Sequence, residues 1–102
     1  MTVTLTAQEQ RLLPRIQRWI EEHREALIAD LASWIAIPGV SQAGQARPGA
    51  PFGATCAAIL QHVLQQAERE GFATQQHDGY AGSVIFGEHP RDIGLINHLD
   101  VV

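Results

Sequence analysis

Residues 93–102 decide the fold and read Ile93-Gly94-Leu95-Ile96-Asn97-His98-Leu99-Asp100-Val101-Val102. The apolar run at 93–96 is nearly continuous, which is typical of a strand that is buried on both faces of a sheet. In extended backbone, residues two apart point to the same side, so His98 and Asp100 can reach one point beyond the strand's carboxyl end. Ligand sites of open α/β sheets lie at that end, and the pair is therefore a candidate site.

The chemistry of this pair suits a metal ion. A neutral imidazole is a common zinc ligand, and a neighbouring carboxylate can fix its tautomer and ring orientation. The alternative is a histidine and an aspartate in a solvated turn after a buried strand, which spacing alone favours because His-x-Asp is a weak pattern. A complete metal site needs further ligands. We therefore expect residues 1–102 to be the front part of a larger metalloenzyme, truncated as its active site begins.

The bulk composition restricts the class of protein and its partners. The chain has 102 residues, of which 45% are hydrophobic, enough for one small packed domain. A net charge of −4 argues against nucleic acid or an anionic membrane as the main partner. No stretch approaches the roughly 20 apolar residues of a membrane span, and the first residues lack the pattern of a signal peptide. The single cysteine, Cys56, fits a reducing compartment, so we expect a cytoplasmic protein.

Two helices are predicted between residues 6 and 71. Thr6-Ala7-Gln8-Glu9 is a capping-box pattern that opens a helix, and Pro14 is expected to interrupt it or to lie in the first turn of the next helix. Apolar residues at helical spacing then predict a long amphipathic helix to about residue 36. The second helix is predicted from about Gly53 to Gly71, with an apolar stripe of Cys56, Ile59, Leu60, Val63, Leu64 and Ala67.

The hydrophobic period changes after Gly71 and indicates strands. Strands are predicted at about 72–76, 83–86 and 93–97, with turns at Asp78-Gly79 and at 88–91. The expected fold class is α/β, with two N-terminal helices followed by the first strands of a mixed sheet. A strand buried on both faces needs further strands beside it and helices over it, so we expect the sheet to be incomplete.

Structural roles are expected for the other residues that could perform chemistry. Cys56 near the start of the second helix is predicted to be a small core residue. His23 is expected at the packed face of the first helix and His62 at a solvent-facing position. His77 and His89 lie in or beside predicted turns and are expected at the surface.

Several segments, taken in order, resemble one protein family. They are Ile35-Ala36-Ile37-Pro38-Gly39-Val40-Ser41, Pro51-Phe52-Gly53, Glu70-Gly71-Phe72, Asp78-Gly79-Tyr80-Ala81-Gly82, and the stretch 93–102. Together they resemble the co-catalytic di-zinc peptidases and deacylases, the family that includes aminoacylase and carnosinase. The Pro-Phe-Gly and Asp-Gly-Tyr-Ala-Gly elements are similar to those of its dipeptidase V-like, Xaa-His dipeptidase subgroup. The resemblance runs from about Trp19 to Val102.

The resemblance implies a fold, an activity and two site residues. Residues 1–102 would be the N-terminal part of a zinc-peptidase catalytic domain, without its remainder and without a smaller dimerisation domain. His98 would bind one of two zinc ions, and Asp100 would be the carboxylate that supports an active-site imidazole. Asn97 departs from the family pattern, in which a small residue usually precedes the histidine. The bridging aspartate, the glutamate general base and the other ligands lie downstream of this motif in the family.

The implied reaction is zinc-dependent hydrolysis of a small dipeptide, with a glutamate removing a proton from a metal-bound water. A homodimer is implied for the full-length parent, and the 102-residue chain alone is expected to be inactive. The close alternative is a deacylase of N-acyl amino acids from the same family. The other alternative is a non-catalytic binding module or remnant that pairs through an open sheet edge.

Overall fold

The computed structural model describes residues 2–90 and 92–102 and contains helices and a small sheet. Helix α1 spans Ala7–Glu22, α2 spans Arg24–Ile35 and α3 spans Ala54–Arg69, and a short 3₁₀ turn lies at Ala43–Gln45. Strands β1 (Ala73–His77) and β2 (Ala81–Ile85) follow. The described part of the chain therefore confirms the predicted α/β class. It divides into two compact units between Ser33 and Trp34.

The first unit begins with the predicted capping box. The Glu9 backbone N–H donates to the Thr6 hydroxyl at 3.2 Å, and the Thr6 N–H donates to the Glu9 carboxylate at 2.6 Å. These two bonds satisfy amide groups that the first helical turn would otherwise leave unpaired, so α1 starts at Ala7. The hydrogen bond from the Thr6 backbone, followed by that from its side chain, lowers the pKa of Glu9 below the ordinary value.

The predicted long helix is divided at His23, and this part of the prediction was wrong. His23 ends α1 with φ −108° and ψ 8°, and α2 starts at the next residue. Its ring Nδ1 lies 2.7 Å from the Trp19 carbonyl oxygen, and the two rings stack at 4.0 Å with an interplanar angle of 13°. The backbone bonds from the His23 N–H to the Trp19 oxygen and from the Leu27 N–H to the His23 oxygen, both 3.0 Å, are kept, so the break is a local change of backbone angles. Pro14, where an interruption was expected, lies inside α1.

The second unit has its core between α3 and the hairpin. The buried hydrophobic residues of the described chain are Ala50, Ile59, Leu60 and Leu64, three of which belong to the predicted stripe of α3. Strand β2 approaches this stripe through Gly82, where a Cβ atom would lie 2.8 Å from a Leu64 methyl carbon. A glycine at this position therefore lets the sheet pack directly on the helix.

The hairpin follows the predicted turn. Strands β1 and β2 are antiparallel, with Ala73 opposite Ile85 and His77 opposite Ala81. Asp78 (φ +51°) and Gly79 (φ +80°) both have left-handed backbone, as the Asp-Gly dipeptide predicts. The Gly79 N–H also donates to the Gln76 side-chain oxygen at 2.9 Å, which fixes the turn.

The third predicted strand, at 93–97, does not form in the described residues. Ile93, Leu95 and Ile96 are 92%, 86% and 100% exposed. The apolar pattern predicted burial on both faces, but a strand also needs a neighbour that pairs its N–H and C=O groups, and no described segment pairs with this one. The described sheet is therefore an antiparallel pair. The parallel pairing expected of a mixed sheet is limited to one bridge, between Val40 and Val101.

Candidate functional site

The structure brings the two predicted site residues, His98 and Asp100, together. The Nδ1 atom of His98 lies 3.0 Å from the Asp100 carbonyl oxygen and 3.4 Å from its carboxylate Oδ1. Both side chains are accessible, at 85% and 58% exposure. A neutral imidazole that donates from Nδ1 towards Asp100 keeps its lone pair on Nε2, the atom that could bind a metal ion.

A short backbone contact holds this pair in place. The Val101 N–H donates to the Gly39 carbonyl oxygen at 3.0 Å, within the single parallel bridge of the described chain. Gly39 itself lies close to α3, because a Cβ atom there would stand 3.1 Å from Ile59 Cγ2. The loop that follows α2 therefore connects the candidate site to the core of the second unit.

The pair lies on the wall of an open cavity of about 670 Å³ in the second unit. The buried residues Ile59, Leu60 and Leu64 contribute an aliphatic floor. The accessible lining residues include His98 and Asp100, which we call the polar rim. A volume in the range of about 300–1,000 Å³ is typical of pockets for small molecules.

Two aromatic side chains, Phe52 and Tyr80, lie on the same cavity wall. Their rings meet edge to face, with centroids 5.6 Å apart and an interplanar angle of 89°. Both residues belong to segments that carry the family resemblance, but their contact was not predicted from the sequence. Pro51-Phe52-Gly53 and Asp78-Gly79-Tyr80 each mark a loop in the sequence. Neither segment alone indicates that the two loops meet.

The remaining chemistry-bearing residues do not add ligands to His98. Among residues 2–90 and 92–102, no group of three or more His, Cys, Asp or Glu side chains could hold a metal ion. Cys56 lines the cavity as a free thiol of intermediate exposure. His77 lies on the hairpin, with its Nε2 2.9 Å from the Ser83 hydroxyl.

The donor chemistry of the pair fits one position of a zinc site and no more. Zinc sites use three or four protein ligands, whereas the described residues offer the Nε2 of His98 with Asp100 on the other ring nitrogen.

A separate finding concerns membranes. Within the described part of the chain, no helix combines the length and the apolar character needed to cross a bilayer.

Comparison with known proteins identifies relatives. A scan against models of protein families found no match. The chain is 40% identical over 79 residues to a Bacillus subtilis (strain 168) protein named "Putative dipeptidase YtjP", a match that covers 78% of the chain and 17% of that protein. It is 34% identical over 82 residues to the Beta-Ala-Xaa dipeptidase of Lactobacillus delbrueckii subsp. lactis, with coverage of 80% and 17%.

A third relative is a dipeptidase-named protein of Staphylococcus aureus (strain USA300), 30% identical over 83 residues, with coverage of 81% of the chain and 18% of that protein. The chain thus spans less than a fifth of the length of the curated relatives it matches. The predicted resemblance to the dipeptidases is confirmed over this segment.

Proposed function

We propose that this chain is part of a zinc-dependent hydrolase of dipeptides, in which His98 is a zinc ligand and Asp100 orients its imidazole. The observation that supports this role is the approach of His98 Nδ1 to two oxygen atoms of Asp100, at 3.0 and 3.4 Å, which leaves Nε2 for a metal ion. The names of the relatives support the substrate class, since one is a Beta-Ala-Xaa dipeptidase.

Residues outside the described ones would complete this site. The described chain offers no group of three ligands and matches 17% of the first relative's length. We therefore propose that residues 1–102 supply the N-terminal part of a catalytic domain. The other ligands, the general base and a smaller dimerisation domain would come from further chain. By the same proposal the enzyme is a cytoplasmic homodimer, and the 102-residue chain alone does not hydrolyse peptides.

The residues of this chain have two tasks in such a site. When bound, zinc would activate a water molecule and stabilise the negative charge that develops on the peptide carbonyl oxygen. His98 would bind through Nε2, and its Nδ1–H would donate to the Asp100 carbonyl oxygen, with the Asp100 carboxylate 3.4 Å from the same nitrogen. That bond would fix the tautomer and the ring plane and make Nε2 a better donor to the metal. The bridge between Gly39 and Val101 would hold this segment in register.

The test uses the protein that contains this segment with its remaining chain. We expect His98→Ala to reduce dipeptide hydrolysis by at least about 100-fold and to lower the zinc content measured by mass spectrometry. Asp100→Asn should cost about 10–100-fold and weaken zinc binding. The matched control is His89→Ala, an exposed histidine that does not line the cavity. Full zinc content and full activity in His98→Ala would contradict the proposal.

Two alternatives remain as outcomes of further assays. Hydrolysis of N-acetyl amino acids in preference to dipeptides would identify the protein as a deacylase. The exposure of Ile93, Leu95 and Ile96 supports the other alternative, a binding module that pairs through a sheet edge. That alternative predicts a folded 102-residue chain or a stable oligomer in circular dichroism and sizing experiments, with no chelator-sensitive activity in the longer protein.

A further inference from the structure

The cavity wall has an aromatic part that the proposed metal chemistry does not use. Phe52 and Tyr80 line the cavity, yet they remain 39% and 66% exposed. The edge-to-face geometry of the two rings is one that aromatic pairs prefer. We call these two side chains the aromatic rim. It offers a partly accessible apolar surface on the cavity wall.

Two packed loops hold the aromatic rim in place. A Cβ atom on Gly79 would lie 2.2 Å from the Gly49 carbonyl oxygen, so the backbone beside Tyr80 is in direct contact with the loop beside Phe52. The Tyr80 N–H donates to the His77 carbonyl oxygen at 2.9 Å. On the other loop, the Gly53 N–H donates to the oxygen of Ala50, which is 4% exposed. The rings are therefore pre-organised, which lowers the entropic cost of binding a ligand.

The aromatic rim shares its cavity with the proposed metal ligand. His98 and Asp100 line the same cavity of about 670 Å³ as Phe52 and Tyr80. A dipeptide is small enough for this volume, since pockets of about 300–1,000 Å³ hold drug-sized molecules. Because the aromatic rim and the polar rim line one cavity, a dipeptide held at His98 is the occupant expected beside Phe52 and Tyr80.

We propose that Phe52 and Tyr80 form a subsite for one side chain of the dipeptide and that this subsite favours apolar, above all aromatic, side chains. The inference rests on the proposed function and adds the specificity of the same site. An aromatic side chain would extend the edge-to-face contact of the pair and bury apolar surface of both rings. An anionic side chain would lose hydration against these rings without gaining a partner.

The test compares two substrates on the protein with its remaining chain. We expect Tyr80→Ala and Phe52→Ala to lower the ratio of kcat/KM for alanyl-phenylalanine to that for alanyl-alanine by about tenfold. Tyr80→Leu keeps an apolar side chain but removes the ring, so it should lower the same ratio as well, and it serves where the alanine variant does not fold. The matched control is Phe86→Ala, which removes the partner of Phe72 in the other aromatic pair of the hairpin, outside the cavity lining.

A second readout separates this inference from the proposed function. Calorimetry on the zinc-free protein should show that Tyr80→Ala weakens binding of alanyl-phenylalanine more than binding of alanyl-alanine. An unchanged ratio in the active variants, or an equal change in Phe86→Ala, would overturn the subsite and indicate that another protein segment covers the rim. A wild-type protein that hydrolyses neither dipeptide contradicts the proposed function instead, and calorimetry then decides the subsite.

Discussion

Gly79 lies so close to Gly49 that a Cβ atom at position 79 would stand 2.2 Å from the Gly49 carbonyl oxygen and 2.7 Å from its carbon. The contact joins the hairpin turn to the loop before α3. A side chain at position 79 would also be strained by the backbone itself, because φ there is +80°. The position therefore tolerates only glycine, for two independent reasons.

The first prediction follows from this contact. Gly79→Ala should reduce the free energy of unfolding by roughly 2–5 kcal/mol, the sum of the left-handed backbone strain and the steric overlap. Urea denaturation followed by circular dichroism measures the change. Gly44→Ala is the matched control, since nothing lies within 4 Å of a Cβ atom there, and it should change stability by less than about 0.5 kcal/mol. Equal effects of the two substitutions would refute the packing argument.

The second prediction concerns a hydrogen bond within the second unit. The Trp34 indole N–H donates to the Gln66 side-chain oxygen at 2.7 Å in a partly buried position. Gln66→Ala should cost about 1 kcal/mol of stability, because the indole N–H loses its partner, and should change the Trp34 fluorescence maximum. The control is Gln65→Ala, the exposed neighbour on the same helix. A matching loss of stability in the control would show that the hydrogen bond is not the cause.

The third prediction is a pH dependence at the start of α1. The folded-state pKa of Glu9 is lowered by hydrogen bonds from the backbone and side chain of Thr6. Ionised Glu9 therefore stabilises the first helical turn above its unfolded pKa, and the contribution disappears as the pH falls through the lowered pKa. Amide hydrogen exchange at Glu9 and Gln10 should be faster in Glu9→Gln than in the wild type near neutral pH.

The difference in amide exchange between Glu9→Gln and the wild type should vanish in acid, because the Glu9 carboxylate of the wild type is then protonated. Glu21→Gln, a carboxylate change in the last turns of α1, is the control and should leave exchange at the first turn unaffected. Exchange that is faster in Glu9→Gln at every pH, or equal to that of the wild type at every pH, would contradict the role of the ionised carboxylate.

The fourth prediction concerns zinc and the 102-residue chain itself. Because the described residues contain no group of three ligands, titration with zinc should show no saturable site at micromolar concentration. Isothermal titration calorimetry with the chain and with its His98→Ala variant makes the comparison. A stoichiometric site that is lost in His98→Ala would show that the chain holds more of the metal site than the described residues provide.

Local sequence signals were sufficient to predict the elements whose first or last residues have a characteristic pattern. The capping box at Thr6, the stripe of α3 and the Asp78-Gly79 turn all lie where the sequence predicts them. The capping box and the turn depend on bonds between near neighbours in the chain, and the α3 stripe follows from the helical period. The break at His23 was missed because a hydrophobic period does not record a change of backbone angles at a single residue.

Long-range partners explain the other differences between prediction and structure. The run at 93–97 has the composition of a buried strand, but pairing depends on segments that its own residues do not specify. The meeting of His98 and Asp100 could be predicted because they are two residues apart in the chain. The contact of Phe52 with Tyr80 could not, since it depends on the packing of Gly79 against Gly49.

The cavity has a buried aliphatic floor and an accessible aromatic rim, and substitutions in these two parts should have different effects. Ile59, Leu60 and Leu64 are buried, so substitution there changes stability first. Phe52 and Tyr80 remain 39% and 66% exposed, so substitution there should disturb the core less. Substitutions at positions 52 and 80 should therefore change the cavity wall with less loss of stability than substitutions at positions 59, 60 and 64.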